Sequence, residues 1–217
     1  MVRPKGSILP SLHTIRPPVT SSTLCQPRPE ATRFHKPARI PGTGTQTSGL
    51  ASSSMTGNIG PMEEAFQILA IYLSPGHNFF GRHNESALAH QIVSVPQVDC
   101  VAGSGLVGDR FFKYKPGYKG QVTFFSSEVF DTLCTDLGVC KVQPSVLRRN
   151  VLTRGVDLNT LIGRTFSIQG VVFEGAEECR PCYWMDTALA PGAEAALRGR
   201  GGLRARVIEG GTLRVDG

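Results

Sequence analysis

Gly170-Val171-Val172-Phe173-Glu174-Gly175, followed by Glu178-Cys179-Arg180-Pro181-Cys182-Tyr183-Trp184-Met185, is the stretch on which the fold turns. Its first half is an apolar run with β-branched and aromatic members, which predicts a strand. Its second half sets two cysteines three positions apart around Arg-Pro and leads into a short helical segment. A thiol at a strand end is held rigidly and can point into a cleft. Arg180 beside it favours the thiolate, the form that binds soft metals or attacks substrates. The plainer reading is that each cysteine is a small buried hydrophobe. A structural zinc site would need a second close pair, and Cys134 with Cys140, five residues between, has poor ligand spacing. A thioredoxin-like pair belongs at the start of a helix after the first strand of a βαβ unit, whereas this pair follows a late hairpin.

Outward from that stretch, short strands recur. Arg164 to Gln169 and Val171 to Glu174 flank a turn at Gly170. Leu203 to Ile208 and Thr212 to Val215 flank Gly210-Gly211, which predicts a second tight hairpin. Phe66 to Leu73 reads as a buried strand, Gln121 to Phe125 as a short one, and Gln91 to Val98 as a strand that Pro96 demotes towards an edge or a bulge. Ser126 or Ser127 can cap a helix with Val129, Phe130, Leu133, Cys134 and Leu137 on its apolar face, closed by Gly138. Pro191 and Gly199 bracket another short helix. Many short strands with a few short helices predict a β-rich α+β domain, built as a barrel rather than a doubly wound sheet.

The charge is unevenly spread. Residues 1–61 hold nine of the fifteen prolines, and their seven Lys/Arg against the single acid Glu30 carry the whole chain's net +6. The rest is neutral, so the high pI gives no reason to expect nucleic-acid binding by the folded part. We expect residues 1–61 to be a disordered extension, with an organellar transit peptide or an extended start before Met55 or Met62 as alternatives, and residues 62–217 to form one domain. No run of eighteen apolar residues marks a membrane span, and no apolar segment marks a secretory signal. Five of the six cysteines lie beyond the extension, which fits reduced thiols in the cytoplasm, or in a mitochondrial or plastid matrix if the extension is a transit peptide.

Gly103-Ser104-Gly105-Leu106-Val107-Gly108 matches the G-x-G-x-x-G dinucleotide pattern in letters only. It opens no helix and runs instead into Asp109-Arg110-Phe111-Phe112 and a Lys/Pro/Gly-rich loop, so a Rossmann site is rejected. The ordered series Gly108-Asp109-Arg110-Phe111, Lys119-Gly120-Gln121-Val122-Thr123, Arg148-Arg149-Asn150-Val151, Leu161-Ile162-Gly163 and Cys179-Arg180-Pro181-Cys182 resembles the MOSC family, the C-terminal domain of molybdenum-cofactor sulfurases, here in its small stand-alone form. The resemblance spans roughly residues 66–217.

The resemblance implies a β-barrel-like α+β domain that binds the pterin molybdenum cofactor (molybdopterin) through one cysteine, which by position is Cys182, with Cys179 as the alternative. It implies cofactor contacts from Arg149 and Asn150, with Arg148 adjacent. Arg110, Lys119 and Arg180 are further sources of positive charge for a cofactor phosphate. The implied activity is reduction of small N-hydroxylated or N-oxide substrates with electrons from a flavin or b-type cytochrome partner. A non-enzymatic carrier of cofactor or persulfide sulfur is the alternative. Pyridoxal phosphate is not expected, because the chain is too short for the sulfurases' aminotransferase-like domain. Any one of these charges taken singly is more simply a solvated surface group. Arg204 and Arg206 alternate with Leu203, Ala205 and Val207 and are expected to face solvent. Asp109 either orients Arg110 or occupies a turn. Trp184 is expected in the core, with a cleft wall as the alternative, and His77 and His83 receive no role.

Overall fold

The computed structural model describes residues 62–63, 66–79, 82, 85–139 and 141–217. The extension, His83, Cys25 and Cys140 lie outside them. In chain order the strands are β1 (Met62–Glu63), β2 (Gln67–Leu73), β3 (Val93–Val95), β4 (Gln97–Val101), β5 (Gly105–Leu106), β6 (Val122–Ser126), β7 (Val151–Arg154), β8 (Thr165–Ile168), β9 (Val171–Glu178), β10 (Leu203–Glu209) and β11 (Gly211–Arg214). The α-helices are α1 (Ser127–Asp136), α2 (Trp184–Ala188) and α3 (Ala193–Ala196), and 3-10 turns occupy Pro144–Leu147 and Leu158–Leu161.

Every residue of β6 is buried, which explains why Val122 to Phe125 reads as a run instead of an alternation. Val122 and Phe124 enter one core with Phe166, Phe173, Val151 and Leu203. Phe125 enters a second core with Phe130, Leu133, Leu147, Met185 and Leu197 under the helices. The rings of Phe124, Phe166 and Phe173 lie within 5.2–5.8 Å of one another, two of the three contacts edge-on. Ser126 caps α1 by accepting from Val129 N, and Glu128 in the first turn accepts from Gly155 N at 2.8 Å, tying the helix to the end of β7.

The strands form an eight-stranded sheet in the order β1-β8-β9-β10-β6-β7-β2-β3 and a three-stranded sheet β11-β4-β5. β6 and β7 pair in parallel through a crossover that carries α1, as a parallel connection requires. Three expectations need correction. A closed barrel is not formed among the described residues, because the end strands β1 and β3 do not pair with each other. The Gly210-Gly211 hairpin is also absent. Both edges of β10 are taken, by β6 and by β9, so β11 pairs instead with β4. Gln91 to Val98 is likewise not one strand: Pro96 lies where the chain leaves β3, paired to β2, for β4 in the other sheet. The mixed, sheet-rich α+β class stands.

Candidate functional site

Four separate segments converge at one end of the large sheet. They are the loop leaving β2, the Asp109-Arg110-Phe111 turn after β5, the Leu147-Arg148-Arg149 corner before β7, and the segment from Cys179 to Met185 after β9. Between them lies a cavity of about 450 Å³ lined by His77, Phe79, Arg110, Phe111, Arg148, Arg149, Cys182, Tyr183, Trp184 and Met185, among others. A smaller one of about 160 Å³ shares Arg110, Arg148, Arg149 and Cys182 with it and adds Tyr118, Cys179, Arg180 and Arg204. Cys182 thus opens onto both.

Buried charge organises this corner. Asp109 is fully buried at its side chain and accepts from Arg110 Nη1 at 3.2 Å, from Ser74 N at 3.2 Å and from Asn150 Nδ2 at 3.1 Å. Its other oxygen accepts from Phe111 N at 3.1 Å. Arg148 sits in the left-handed region at φ 56° and is only 8% exposed. Its Nη2 donates to Ser74 Oγ at 2.7 Å and to the Gly76 carbonyl at 2.6 Å. Burial, reinforced by Arg110 nearby, pushes Arg148 down to about 10, with Asp109 opposing. Arg110 is also lowered, by burial and then by Arg149, against the pull of Asp109. One carboxylate therefore serves two buried guanidiniums, and the corner has an unmet demand for negative charge. That demand has an address: Arg148 Nη1 is buried and has no hydrogen-bond partner among the described residues.

The other predicted residues divide. Arg149 donates from all three nitrogens to carbonyls, those of Leu147, Cys179 and Gly201, at 3.0–3.2 Å. It therefore clamps the end of β9 to the start of β10 as well as lining both cavities. Gly202 completes that seam: its φ is +98°, a Cβ there would meet the Phe124 carbonyl, and its own carbonyl accepts from Cys179 N at 2.7 Å. Asn150 is 1% exposed, and its side chain is spent on Thr123, Tyr72 and Asp109, away from both cavities. Lys119 is on the surface, paired with Glu177 at 3.1 Å. Arg180 is exposed and borders only the smaller cavity.

Cys179 is buried and Cys182 exposed, so the two thiols are not equivalent. Arg204 departs from the expected solvent face. It is half-buried, pairs with Glu177 at 3.0 Å and lies against Cys179, and although burial works against it, the sulfur and Glu177 raise its pKa above the ordinary value. Arg206 is half-buried as well and pairs with Glu174 at 2.8 Å. Trp184 is both core and cleft: it is 7% exposed yet lines the larger cavity. Sequence reasoning gave His77 no role, but its ring meets Phe111 edge-on at 4.9 Å in the cavity wall, where burial, then Arg110 and Arg148, lower its pKa. The only signal was its place in a polar loop directly after a buried strand.

Residues 110–217 match the family model of the MOSC domain, and the chain belongs to that family. Among solved structures, it is similar to the YuaD protein from Bacillus subtilis, with a TM-score of 0.53 and 20% identity over 69% of this chain and 91% of that one. It is also similar to YiiM from Geobacillus stearothermophilus, with a TM-score of 0.51 and 15% identity over 69% of this chain and 71% of that one. At these identities the likeness is one of fold. No curated protein matches the sequence. Among the described residues, no helix is long and apolar enough to cross a membrane.

Proposed function

We propose that the domain, taken as residues 62–217, holds a pterin molybdenum cofactor in the larger cavity with Cys182 as the protein thiolate ligand, and that it reduces N-hydroxylated or N-oxide compounds. The observation that carries this reading is the buried Arg148 guanidinium whose Nη1 lacks a partner in the wall of a cavity that also presents Cys182. Among the described residues, no three His, Cys, Asp or Glu converge as a metal site. A metal at Cys182 would need its remaining ligands from an organic chelate, as a dithiolene pterin supplies.

Arg148 would donate through Nη1 to an anionic oxygen of the cofactor, a charge-assisted bond. Arg110 and Arg149 add positive field without leaving their present partners. Phe79, Phe111 and Trp184 keep water off one wall. When bound, the cofactor supplies two-electron reduction chemistry at its metal. An N-hydroxylated substrate takes up two electrons and two protons and leaves as the amine and water, with electrons drawn from a separate donor protein.

Protein made in a cofactor-producing host should contain molybdenum and oxidisable pterin in near-equal amounts. Cys182→Ser should abolish reduction of benzamidoxime by reduced viologen, and Cys179→Ser should keep most of it. Zinc or no metal in the purified protein would overturn the assignment. A second reading, as a carrier of cofactor or persulfide sulfur, draws on both thiols bordering the smaller cavity with Arg204 against Cys179. Equal loss in both variants with molybdenum retained would favour it.

A further inference from the structure

Arg148 Nη1 has an occupant under the reading above; a second buried donor does not. Trp184 Nε1 is also buried with no hydrogen-bond partner among the described residues, and Trp184 lines the same cavity. Buried indole N–H groups ordinarily find an acceptor, and leaving one without is costly. Two orphan donors on residues that line one cavity, in a domain where Asp109, Asn150 and Thr123 satisfy one another so fully, point to partners that arrive with a ligand. The surroundings of the indole narrow its class. Its ring lies 4.4 Å from that of Phe79 at 35° and 5.1 Å from that of Tyr183 at 33°, so the indole sits in a cluster of tilted aromatic rings at the cavity's edge. Such a wall favours a flat conjugated body over an aliphatic one.

We infer that Trp184 is the specificity-determining residue of the larger cavity: its Nε1–H donates to a ring nitrogen or carbonyl oxygen of a planar conjugated substrate lying along the Phe79–Trp184–Tyr183 wall. Phe79 stands on the loop after β2, not on a strand or helix. A tilt of its ring gives the acceptor its way to the buried N–H. The inference rests on the proposed reading only for the word substrate; the subsite itself follows from the cavity. Discrimination should be strong, because a ligand without the acceptor leaves the buried donor unpaired, as the protein does alone.

Trp184 is the only tryptophan of the chain, so its fluorescence reports on this subsite directly. The test uses full-length protein from a cofactor-producing host and four ligands of one shape: benzamidoxime and the 2-, 3- and 4-pyridine carboxamidoximes. One pyridyl isomer should bind at least about ten-fold tighter than benzamidoxime by quenching and calorimetry. In Trp184→Phe, which keeps an aromatic ring but removes the N–H, calorimetry should find that preference reduced to within about two-fold. Equal binding of all four ligands, or a preference that survives Trp184→Phe, would overturn the inference. Should that variant not fold, the single indole ¹H–¹⁵N resonance of the wild-type protein decides. It should shift with the preferred pyridyl isomer and not with benzamidoxime, and an equal response to both refutes the subsite. Acceptor-dependent binding with no reduction of any ligand sinks the oxidoreductase reading and leaves the subsite standing. Reduction of all four at equal KM does the reverse.

Discussion

Asp109→Asn should be among the most damaging conservative substitutions in this domain. The carboxylate accepts from Ser74 N, Arg110 Nη1 and Asn150 Nδ2 on one oxygen and from Phe111 N on the other. An amide cannot reproduce this in either orientation, since its NH₂ must face either three donors or one. It also removes the one carboxylate that, among the described residues, acts on both the buried Arg110 and Arg148 guanidiniums. Breaking a buried pair by removing one partner costs about 3–5 kcal/mol, because the other charge is stranded. With a urea m-value of about 2 kcal/mol/M for a domain of this size, the unfolding midpoint should fall by roughly 2 M. Unfolding followed by Trp184 fluorescence measures it. Glu177→Gln is the matched control: its pairs with Lys119 and Arg204 are open to solvent and should be worth less than about 1 kcal/mol. Adding Arg110→Met to Asp109→Asn should recover part of the loss by removing a stranded charge. If Asp109→Asn falls no further than Glu177→Gln, the carboxylate does not carry the two arginines and the account of the site's electrostatics is wrong.

Three other outcomes are expected. Gly202→Ala, with φ +98° and a Cβ pressed onto the Phe124 carbonyl, should cost about 3 kcal/mol or more in the same unfolding assay, whereas Gly155→Ala, at φ +89° in open space, should cost about 1–2 kcal/mol. The pKa of His77 lies below the ordinary 6.5, so the unfolded chain protonates first as pH falls; stability should decline below about pH 6.5 until the folded form protonates too, and His77→Gln should flatten that slope. At pH 8, alkylation mapped by mass spectrometry should find Cys182 labelled first among Cys100, Cys134, Cys179 and Cys182, and Cys100, pushed up to about 12 by burial, untouched until the protein unfolds.

The strands β2, β6, β8, β9 and β10 and the capped helix α1 were legible because their burial is written locally, in apolar runs and a Ser cap. Partner choice was not. Gly210-Gly211 carries a sound hairpin signal, and what overrides it is non-local: both edges of β10 are already occupied. The site shows the same division. Cys182, Arg110 and Arg148 could be singled out by residue type and order, but nothing in the sequence distinguishes Arg148, which keeps an unspent donor, from Arg149, whose nitrogens all hold carbonyls, or from Asn150, which is sealed inside. His77, Phe79 and Trp184 join the cavity only because the loop after β2 meets the segment after β9, a meeting that periodicity does not encode.

The contacts that shape the cavity join residues far apart in the chain: Arg148 to Ser74 across 74 positions and Arg149 to Cys179 across 30. No fragment of the sheet contains the pocket, so it comes into being only when the whole topology has closed, late in a folding process already slowed by such long-range pairing. Occupancy of the pocket and integrity of the domain are then one equilibrium. A ligand at a hundred times its Kd deepens the native basin by about 2.7 kcal/mol, and a cell that withholds the ligand keeps a shallower fold in circulation.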